Sequence, residues 1–403
     1  MENSSESLQL GSEYSGKDKR RADMERQWDP RPIQELCANK SWTRNVALQC
    51  VELSGGVSNV RQEILTCIRW TMEAGAALVF PQVKLRVASN ASEVIYHKYG
   101  RFAEYDELFE REVLSEKLAE ACPQMTIYQD VDSLRQEGPV DETGIFSIVK
   151  HCRGREMGSC IKSWIEEQRA SEGKIQLIDF DKAMAEYEVC NDGAEIADTF
   201  GQLVTFRKDT RYLASTILFE LSSRFRLNID SSSRIPSDAF VGVHLRTSAD
   251  AVGKNWLPFE KQVRLYKAEI TKHNPPVVYV ASGNLTSVNL FASSLGTIPV
   301  VTKDQLLTGD DLDLMNSLSW DQQAEVDLQV LLKSSYFLGM TDSSFSWAIS
   351  NARRSIGKRG TCSDEERENG PPKPALKGVA YKDELSAIIG RPNRFFFRTR
   401  LWT

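Results

Sequence analysis

Several patterns that would define common classes of protein are missing from this sequence. The eight cysteines contain no C-x-x-C pair, which argues against a zinc site and leaves open whether they form disulfides. No run of about 18 uninterrupted apolar residues occurs, so no membrane-spanning helix is expected in this chain. The 50 Lys and Arg residues stand against 56 Asp and Glu residues, giving a net charge of −6. Because nucleic-acid affinity comes from accumulated Lys and Arg, we expect no nucleic-acid partner.

The amino-terminal segment also lacks the apolar stretch of a secretory signal peptide. Residues 1–31 are rich in Ser, Glu, Lys and Arg, and we expect residues 1–40 to form a disordered tail. Two locations stay open: the lumen of the endoplasmic reticulum or Golgi, if an N-terminal anchor has been removed, and otherwise the cytoplasm.

Hydrophobic periodicity predicts the fold class. Residues 46–81 read as a strand, a Gly-rich turn, a helix and a second strand, which together make one β-α-β unit. A Ser-rich break at residues 230–236 predicts a domain junction, and a second series of alternating strands and helices follows it. Such alternation implies parallel sheets whose ligands bind at the carboxyl ends of the strands.

We therefore expect an α/β protein with two Rossmann-like β/α/β domains that face each other across a cleft. The length of 403 residues agrees with two or three domains. The expected division is residues 41–230 for the first domain, residues 236–356 for the second, and residues 357–403 for an exposed loop and tail.

The first candidate ligand loop runs from Ser54 to Asn59, between the predicted strand and helix. Its glycines let the backbone approach a ligand closely, and the start of the helix offers unpaired N–H groups to an anion. The loop matches neither G-x-G-x-x-G nor a P-loop. A tight β-α turn capped by Asn59 would explain the same residues.

The second and third loops also follow predicted strands. Arg246 lies directly after a hydrophobic strand, at the start of a loop, and its guanidinium is suited to bidentate hydrogen bonding with a phosphate. An ion pair of Arg246 with Asp250, and a hydrogen-bonded core position for His244, are the alternatives. Small hydroxyl residues at positions 343–346 begin a helix, where they either bind phosphate oxygens or simply cap the helix.

The order and placement of these loops resemble the GDP-fucose-dependent O-fucosyltransferases, a GT-B-type family, over roughly residues 46–354. The Gly-x-x-x-Asn loop of that family is matched by Gly55 to Asn59. Its His-Leu-Arg-x-x-x-Asp motif is matched by His244 to Asp250, and its Ser-Ser-Phe-Ser motif by Ser343 to Ser346. An Asp-Leu pair upstream of the last motif is matched by Asp327 and Leu328.

The resemblance implies a role for each matched position. Arg246 would bind the β-phosphate and stabilise the charge that develops as GDP leaves, so Arg246 and Asn59 are the expected catalytic residues. Asp327 would accept the guanine N1–H and N2–H groups, and His244 would line the ribose or the guanine. The remaining expected donor-binding residues are Gly55, Gly56, Val57, Ser58, Leu245, Asp250, Ser343, Ser344 and Phe345.

The resemblance further implies that no metal ion or other cofactor is needed, because Arg246 supplies the positive charge. Two Asp-x-Asp sequences, which begin at Asp179 and Asp311, are expected to be surface or turn acids. The catalytic base is not assigned. One branch of the family has a Glu where this chain has Ser54, and either Glu52, two residues earlier on the same face of a strand, or no side chain takes its place.

The expected function is that of an inverting glycosyltransferase, which transfers fucose from GDP-β-L-fucose to a hydroxyl of a protein Ser or Thr, a glycan or a small molecule. Three alternatives remain. In the first, the donor is a different GDP-sugar. In the second, the chain is a non-catalytic GT-B-like protein that binds a nucleotide or a partner. An NAD-type oxidoreductase is the third, and the absence of G-x-G-x-x-G argues against it.

Overall fold

The structure is a computed structural model of the whole chain. It describes residues 28–51, 53, 55–85, 101–146, 157–167, 173–180, 187, 189–229, 235–236, 239–247, 256–356, 378–391 and 401–402. Everything said below about structure concerns these residues.

The amino-terminal half is built on a parallel five-stranded sheet with the order β5-β2-β1-β7-β6. Its strands are β1 (Val46–Cys50), β2 (Ala77–Val79), β5 (Ile127–Tyr128), β6 (Val140–Phe146) and β7 (Ile175–Phe180), and β3 (Val83–Leu85) and β4 (Arg101–Ala103) form a separate antiparallel pair. Its helices are α1 (Arg31–Ala38), α2 (Val57–Ala74), α3 (Arg111–Ala121), α4 (Val131–Glu137), α5 (Met157–Glu167) and α6 (Ala194–Thr199). Three short 3₁₀ helices lie at Tyr105–Glu107, Val189–Asp192 and Phe200–Leu203.

The carboxyl-terminal half is built on a six-stranded sheet with the order β10-β9-β8-β11-β13-β12, parallel except for β12. Its strands are β8 (Val241–His244), β9 (Val278–Ala281), β10 (Val300–Val301), β11 (Tyr336–Met340), β12 (Val379–Lys382) and β13 (Ser386–Ile389). The helices from here on are α7 (Lys208–Phe225), α8 (Phe259–His273), α9 (Leu285–Leu295), α10 (Lys303–Leu306), α11 (Gly309–Ser317), α12 (Trp320–Leu332) and α13 (Ser344–Ile356). The expectation of two Rossmann-like α/β halves is therefore confirmed.

The first domain boundary differs from the expectation at residues 230–236. Helix α7 precedes that segment, yet its apolar residues Leu213, Ile217 and Leu221 are fully buried in the core of the carboxyl-terminal half, where α7 packs against α12. The helix therefore belongs to the second domain. The Ser-rich break is a local signal, whereas the partner of an amphipathic helix is decided by tertiary packing.

The expected disordered tail of residues 1–40 is wrong for its last part. Helix α1 begins with Pro32 in its first turn, a position where the missing N–H costs nothing. Its residues Ile33 and Cys37 are buried in the core of the amino-terminal half. Only one face of this helix is apolar, so its overall composition is polar and resembles that of a disordered segment.

The expected exposed loop and tail of residues 357–403 is also wrong in part. Strand β13 lies beside β11, and β12 closes that edge of the second sheet. Beyond them, Trp402 is buried in the amino-terminal core, with its ring centroid 4.6 Å from that of Phe200. Gln62 of α2 accepts a bond from the Trp402 N–H and donates one to its carbonyl. The carboxyl terminus thus returns to the first domain.

All described cysteines form disulfides. Cys37 of α1 is bonded to Cys122 after α3, and Cys50 at the end of β1 is bonded to Cys67 of α2. Cys160 and Cys190 are disulfide-bonded as well. The second disulfide joins the two elements that flank the Gly-rich loop. None of the described helices is both long and apolar enough to cross a membrane.

Candidate active site

A cavity of about 280 Å³ lies between the two halves of the protein. Its carboxyl-terminal wall is formed by residues that follow β8, β9, β10 and β11, and the start of α2 closes it from the amino-terminal half. Parallel α/β sheets place their ligands at this edge. The predicted site residues that line the cavity are Gly56, Val57, Ser58, Asn59, His244, Leu245, Arg246, Asp327, Ser343, Ser344 and Phe345.

The Gly-rich loop has a conformation that requires glycine at position 55. Gly55 has φ +111°, and a Cβ placed there would lie 2.4 Å from Nδ2 of Asn59. The next residue, Gly56, is the N-cap of α2 and offers no side chain to the first N–H groups of the helix. The amino terminus of α2 therefore presents backbone donors at the cavity wall, which favours an anion there.

Asn59 and Ser344 connect the two halves across the cavity. The Ser344 hydroxyl, at the start of α13, donates a hydrogen bond to Oδ1 of Asn59. This bond uses one lone pair of the carboxamide oxygen and leaves both amide N–H donors of Asn59 for a ligand. The hydroxyl proton of Ser344 is likewise committed, so Ser344 could reach a phosphate oxygen through its backbone rather than as a hydroxyl donor.

Arg246 is placed by contacts on both its backbone and its side chain. Gln262 of α8, which is 1% exposed, donates from Nε2 to the carbonyl oxygens of Arg246 at 2.8 Å and Leu257 at 2.7 Å. One buried amide group therefore holds the backbone of both Arg246 and Leu257. The guanidinium carbon lies 5.8 Å from the centre of the Trp256 ring, in a cation–π contact.

His244 is both a core residue and part of the cavity wall. Its Nδ1 lies 2.8 Å from Oγ of Ser346, and that oxygen accepts the Met340 N–H at 3.0 Å. Burial and, secondly, the positive charge of Arg246 lower the pKa of His244 to about 3. The imidazole is therefore neutral at pH 7. One proton therefore joins Nδ1 and the Ser346 hydroxyl, and the tautomer of the neutral ring sets which of the two is the donor.

Asp327 lies at another wall of the cavity, bonded to two donors. Its Oδ1 accepts a bond of 2.6 Å from the Tyr279 hydroxyl, and its Oδ2 lies 2.8 Å from Nζ of Lys303. The side chains of Asp327 and Lys303 are only 9% and 10% exposed. The expected role of Asp327 in accepting guanine N–H groups depends on the second lone pair of each oxygen.

Sequence reasoning missed several residues of this cavity. Lys303 begins the short helix α10, and Trp320, Gln323 and Ala324 share one face of α12 with Asp327. Asp342 lines the cavity directly before Ser343, and burial raises the pKa of its carboxyl group. The remaining lining residues are Trp256, Ala281, Ser282 and Gly283. For Ser282 and Lys303, their place just after a predicted strand was the available signal.

Some predicted residues are not among those that line the cavity. Gly55 is adjacent to it in sequence and shapes the loop. Asp250, and the residues considered for the catalytic base, Glu52 and Ser54, lie outside the described residues. The two Asp-x-Asp sequences lie elsewhere as far as they are described: Asp179 is on β7, and Asp311 of α11 accepts a bond from the Tyr212 hydroxyl.

The described ranges contain no group of three or more His, Cys, Asp and Glu side chains placed to hold a metal ion.

Comparison with known proteins identifies the family. Residues 49–356 match the family described as GDP-fucose protein O-fucosyltransferase. This match spans most of the chain and every motif described above, so the chain belongs to that family. A search of curated proteins finds no significant match.

Solved structures similar to this chain include POFUT1 and the fucosyltransferase NodZ. POFUT1 in complex with GDP-fucose has 11% sequence identity and a TM-score of 0.48, over 87% of this chain and 100% of that one. NodZ from Bradyrhizobium has 12% identity and a TM-score of 0.42, over 77% of this chain and 92% of that one. The family assignment rests on the match over residues 49–356.

Proposed function

We propose that this chain, as a member of the GDP-fucose protein O-fucosyltransferase family, transfers fucose from GDP-β-L-fucose to a hydroxyl group, with inversion at the anomeric carbon and without a divalent metal ion. The observation that carries the proposal is the cavity between the two halves. Arg246 lies there with the uncapped start of α2, and Asn59 is bonded across the cavity to Ser344.

The groups around Arg246 suit a diphosphate. The guanidinium brings a permanent positive charge and five donors, and the start of α2 adds backbone N–H groups. In the transfer, the acceptor oxygen forms a bond to C1 of fucose while the bond from C1 to the β-phosphate oxygen breaks. Negative charge then grows on the departing GDP, and a fixed cation beside it stabilises the transition state more than the ground state.

Metal independence follows from the same assignment. Enzymes that hold a divalent ion use it to neutralise the diphosphate, and the guanidinium of Arg246 would supply that charge. The acceptor hydroxyl loses its proton as the new bond forms, and either Glu52 or a phosphate oxygen of the departing GDP takes it. That hydroxyl belongs to a protein Ser or Thr, a glycan or a small molecule.

We also propose that the protein works in an oxidising compartment. All six described cysteines are in disulfides, and such bonds persist in secretory and extracellular environments while reducing compartments remove them. Mass spectrometry of the alkylated protein, purified from its own cells without reductant, tests this directly. Alkylation of Cys37 or Cys122 under those conditions would contradict it.

Calorimetric titration with GDP, with ADP as the comparison and EDTA present, tests the proposed function. We expect GDP to bind, ADP to bind far more weakly, and EDTA to change neither result. Turnover of GDP-fucose then follows by release of GDP. Arg264→Ala, an exposed arginine on α8, serves as the control for Arg246→Ala.

Each outcome has a defined meaning. GDP binding with turnover of a different GDP-sugar would keep the site and change the donor. GDP binding without turnover of any donor would identify a non-catalytic member of the family. No GDP binding would show that the loops around the cavity serve only as structural turns.

A further inference from the structure

The cavity contains a buried ion pair that the proposed phosphate chemistry does not use. Lys303 follows β10 and Asp327 lies on α12, with 2.8 Å between Nζ and Oδ2. The other carboxylate oxygen accepts a bond from Tyr279, which is fully buried. Both charged residues line the cavity. A cation and an anion therefore stand side by side, facing the space where a ligand binds.

Lys303 keeps its positive charge in this pair. Burial disfavours the ammonium group of Lys303, but the Asp327 carboxylate more than compensates, and the pKa of Lys303 is raised. Tyr279 remains a donor, because burial and then Asp327 raise the pKa of its hydroxyl. A buried ion pair adds little net stability compared with apolar residues of similar size, since both ions lose their hydration. Its position at a cavity wall points to recognition.

The surrounding surface suits a planar base. Trp320, Gln323, Ala324 and Asp327 lie on one face of α12 and line the cavity together. Gly283 lets the Trp320 ring approach, because a Cβ at position 283 would lie 2.2 Å from a ring carbon. An indole beside an alanine provides the flat, apolar wall on which a purine stacks. The ion pair would then meet the edge of that base.

The hydrogen-bonding capacities of the pair match guanine and mismatch adenine. An ammonium group can only donate hydrogen bonds, and a carboxylate can only accept them. Guanine has the acceptor O6 beside the donors N1–H and N2–H, whereas adenine has a donor amine beside the acceptor N1. Adenine would therefore place a donor against the cation and an acceptor against the carboxylate, leaving buried groups unpaired.

We propose that Lys303 is a specificity-determining residue, which donates a hydrogen bond to O6 of guanine while Asp327 accepts from the neighbouring N–H groups. This inference rests on the proposed function and adds to it a residue that selects the base. Lys303 acts on the identity of the nucleotide, and it takes no part in the transfer step.

Three diphosphates test the assignment by calorimetry: GDP, IDP and the diphosphate of 2,6-diaminopurine riboside. IDP keeps O6 and N1–H, whereas the diaminopurine keeps the 2-amino group, replaces O6 by an amine and has an acceptor at N1 in place of the N1–H. Lys303→Met keeps most of the length of the side chain and removes its charge. We expect the variant to lose about tenfold or more of its affinity for GDP and IDP, and to bind the diaminopurine nucleotide as well as the wild type or better.

Lys272→Met is the matched control, because Lys272 forms an ion pair of similar length with the buried Glu269 outside the cavity. Its affinities should equal those of the wild type. If Lys303→Met weakens all three nucleotides equally, Lys303 only holds Asp327 in place and the inference is wrong, while the proposed function stands.

The wild-type protein provides a second test that needs no variant. Equal affinity for GDP and the diaminopurine nucleotide would overturn the inference even if Lys303→Met fails to fold. Absence of GDP binding by the wild type would instead reject the proposed function. The two failures are therefore distinguishable.

Discussion

Asn59 accepts a hydrogen bond from the Ser344 hydroxyl, and this bond joins the first turn of α2 in one half of the protein to the first turn of α13 in the other. The two residues come from loops that are 285 positions apart. Gly55 permits the contact, since any larger residue there would collide with the Asn59 amide. The bond fixes which atoms of both side chains remain for a ligand.

The Asn59–Ser344 contact predicts coupling between the two residues. Asn59→Ala and Ser344→Ala should each weaken GDP binding, and the double variant should lose less than the sum of the two losses. The coupling energy should be about 1 kcal/mol, the typical net contribution of one hydrogen bond. Calorimetry on the four proteins measures it, with Asn289→Ala, an exposed residue of α9, as the control. Additive losses would show that the two side chains act independently.

Replacing Arg246 should mainly reduce activity. Arg246→Ala should cost GDP-fucose turnover about 3–4 kcal/mol of transition-state stabilisation, on the scale of losing one oxyanion donor. Arg246→Lys should recover only part, because the ammonium keeps the charge and loses the bidentate geometry. Rates of GDP release and thermal unfolding should be measured together. Unfolding with unchanged specific activity would indicate that Arg246 is a structural ion-pair residue.

Acid should destabilise the protein partly through His244. The pKa of this residue is about 3 in the folded protein, against 6.5 for an ordinary histidine. Between these values the unfolded chain binds one more proton than the folded protein, so the free energy of unfolding falls by about 1.4 kcal/mol per pH unit as the pH decreases. This contribution is fully present above the unfolded pKa.

His244→Asn tests that contribution, since its carboxamide can still form a hydrogen bond with the Ser346 hydroxyl. Urea unfolding of both proteins at several values between about pH 6 and pH 4 gives the two slopes. The slope of the variant should be shallower by the amount expected for one proton. Parallel slopes would mean that His244 titrates normally in the folded protein.

The Cys37–Cys122 and Cys50–Cys67 disulfides should contribute unequally to stability. In the chain-entropy model, the sequence separation of 85 between Cys37 and Cys122 corresponds to about 4–5 kcal/mol. The separation of 17 between Cys50 and Cys67 corresponds to about 3 kcal/mol. Urea unfolding of the paired Cys→Ser variants measures both contributions.

Of these two disulfides, the Cys50–Cys67 bond should also affect ligand binding, because it connects β1 to α2 on either side of the Gly-rich loop. The Cys50→Ser/Cys67→Ser variant should therefore lose GDP affinity as well as stability. The Cys37→Ser/Cys122→Ser variant should lose stability alone. If the Cys37→Ser/Cys122→Ser variant lost GDP affinity and the Cys50→Ser/Cys67→Ser variant did not, the Cys50–Cys67 disulfide would have no role in shaping the Gly-rich loop.

The two α/β halves and about half of the residues that line the cavity could be predicted from the sequence. Alternating strands and helices are local patterns, and in a parallel sheet the carboxyl ends of the strands share one edge. Residues that follow a predicted strand, such as Arg246 and Ser343, could therefore be assigned to the site before their neighbours were known. The roles of these residues as ligands of GDP remain predictions.

The contacts that each side chain makes could be known only from the tertiary structure. The Lys303–Asp327 pair and the Ser344–Asn59 bond join residues from separate elements, and no local periodicity encodes which elements meet. The same holds for α7, which packs on the second half of the protein, and for Trp402, which returns to the first. The apolar face of a helix or a large aromatic side chain shows in the sequence that it must pack against something. Which element it packs against is known only from the folded chain.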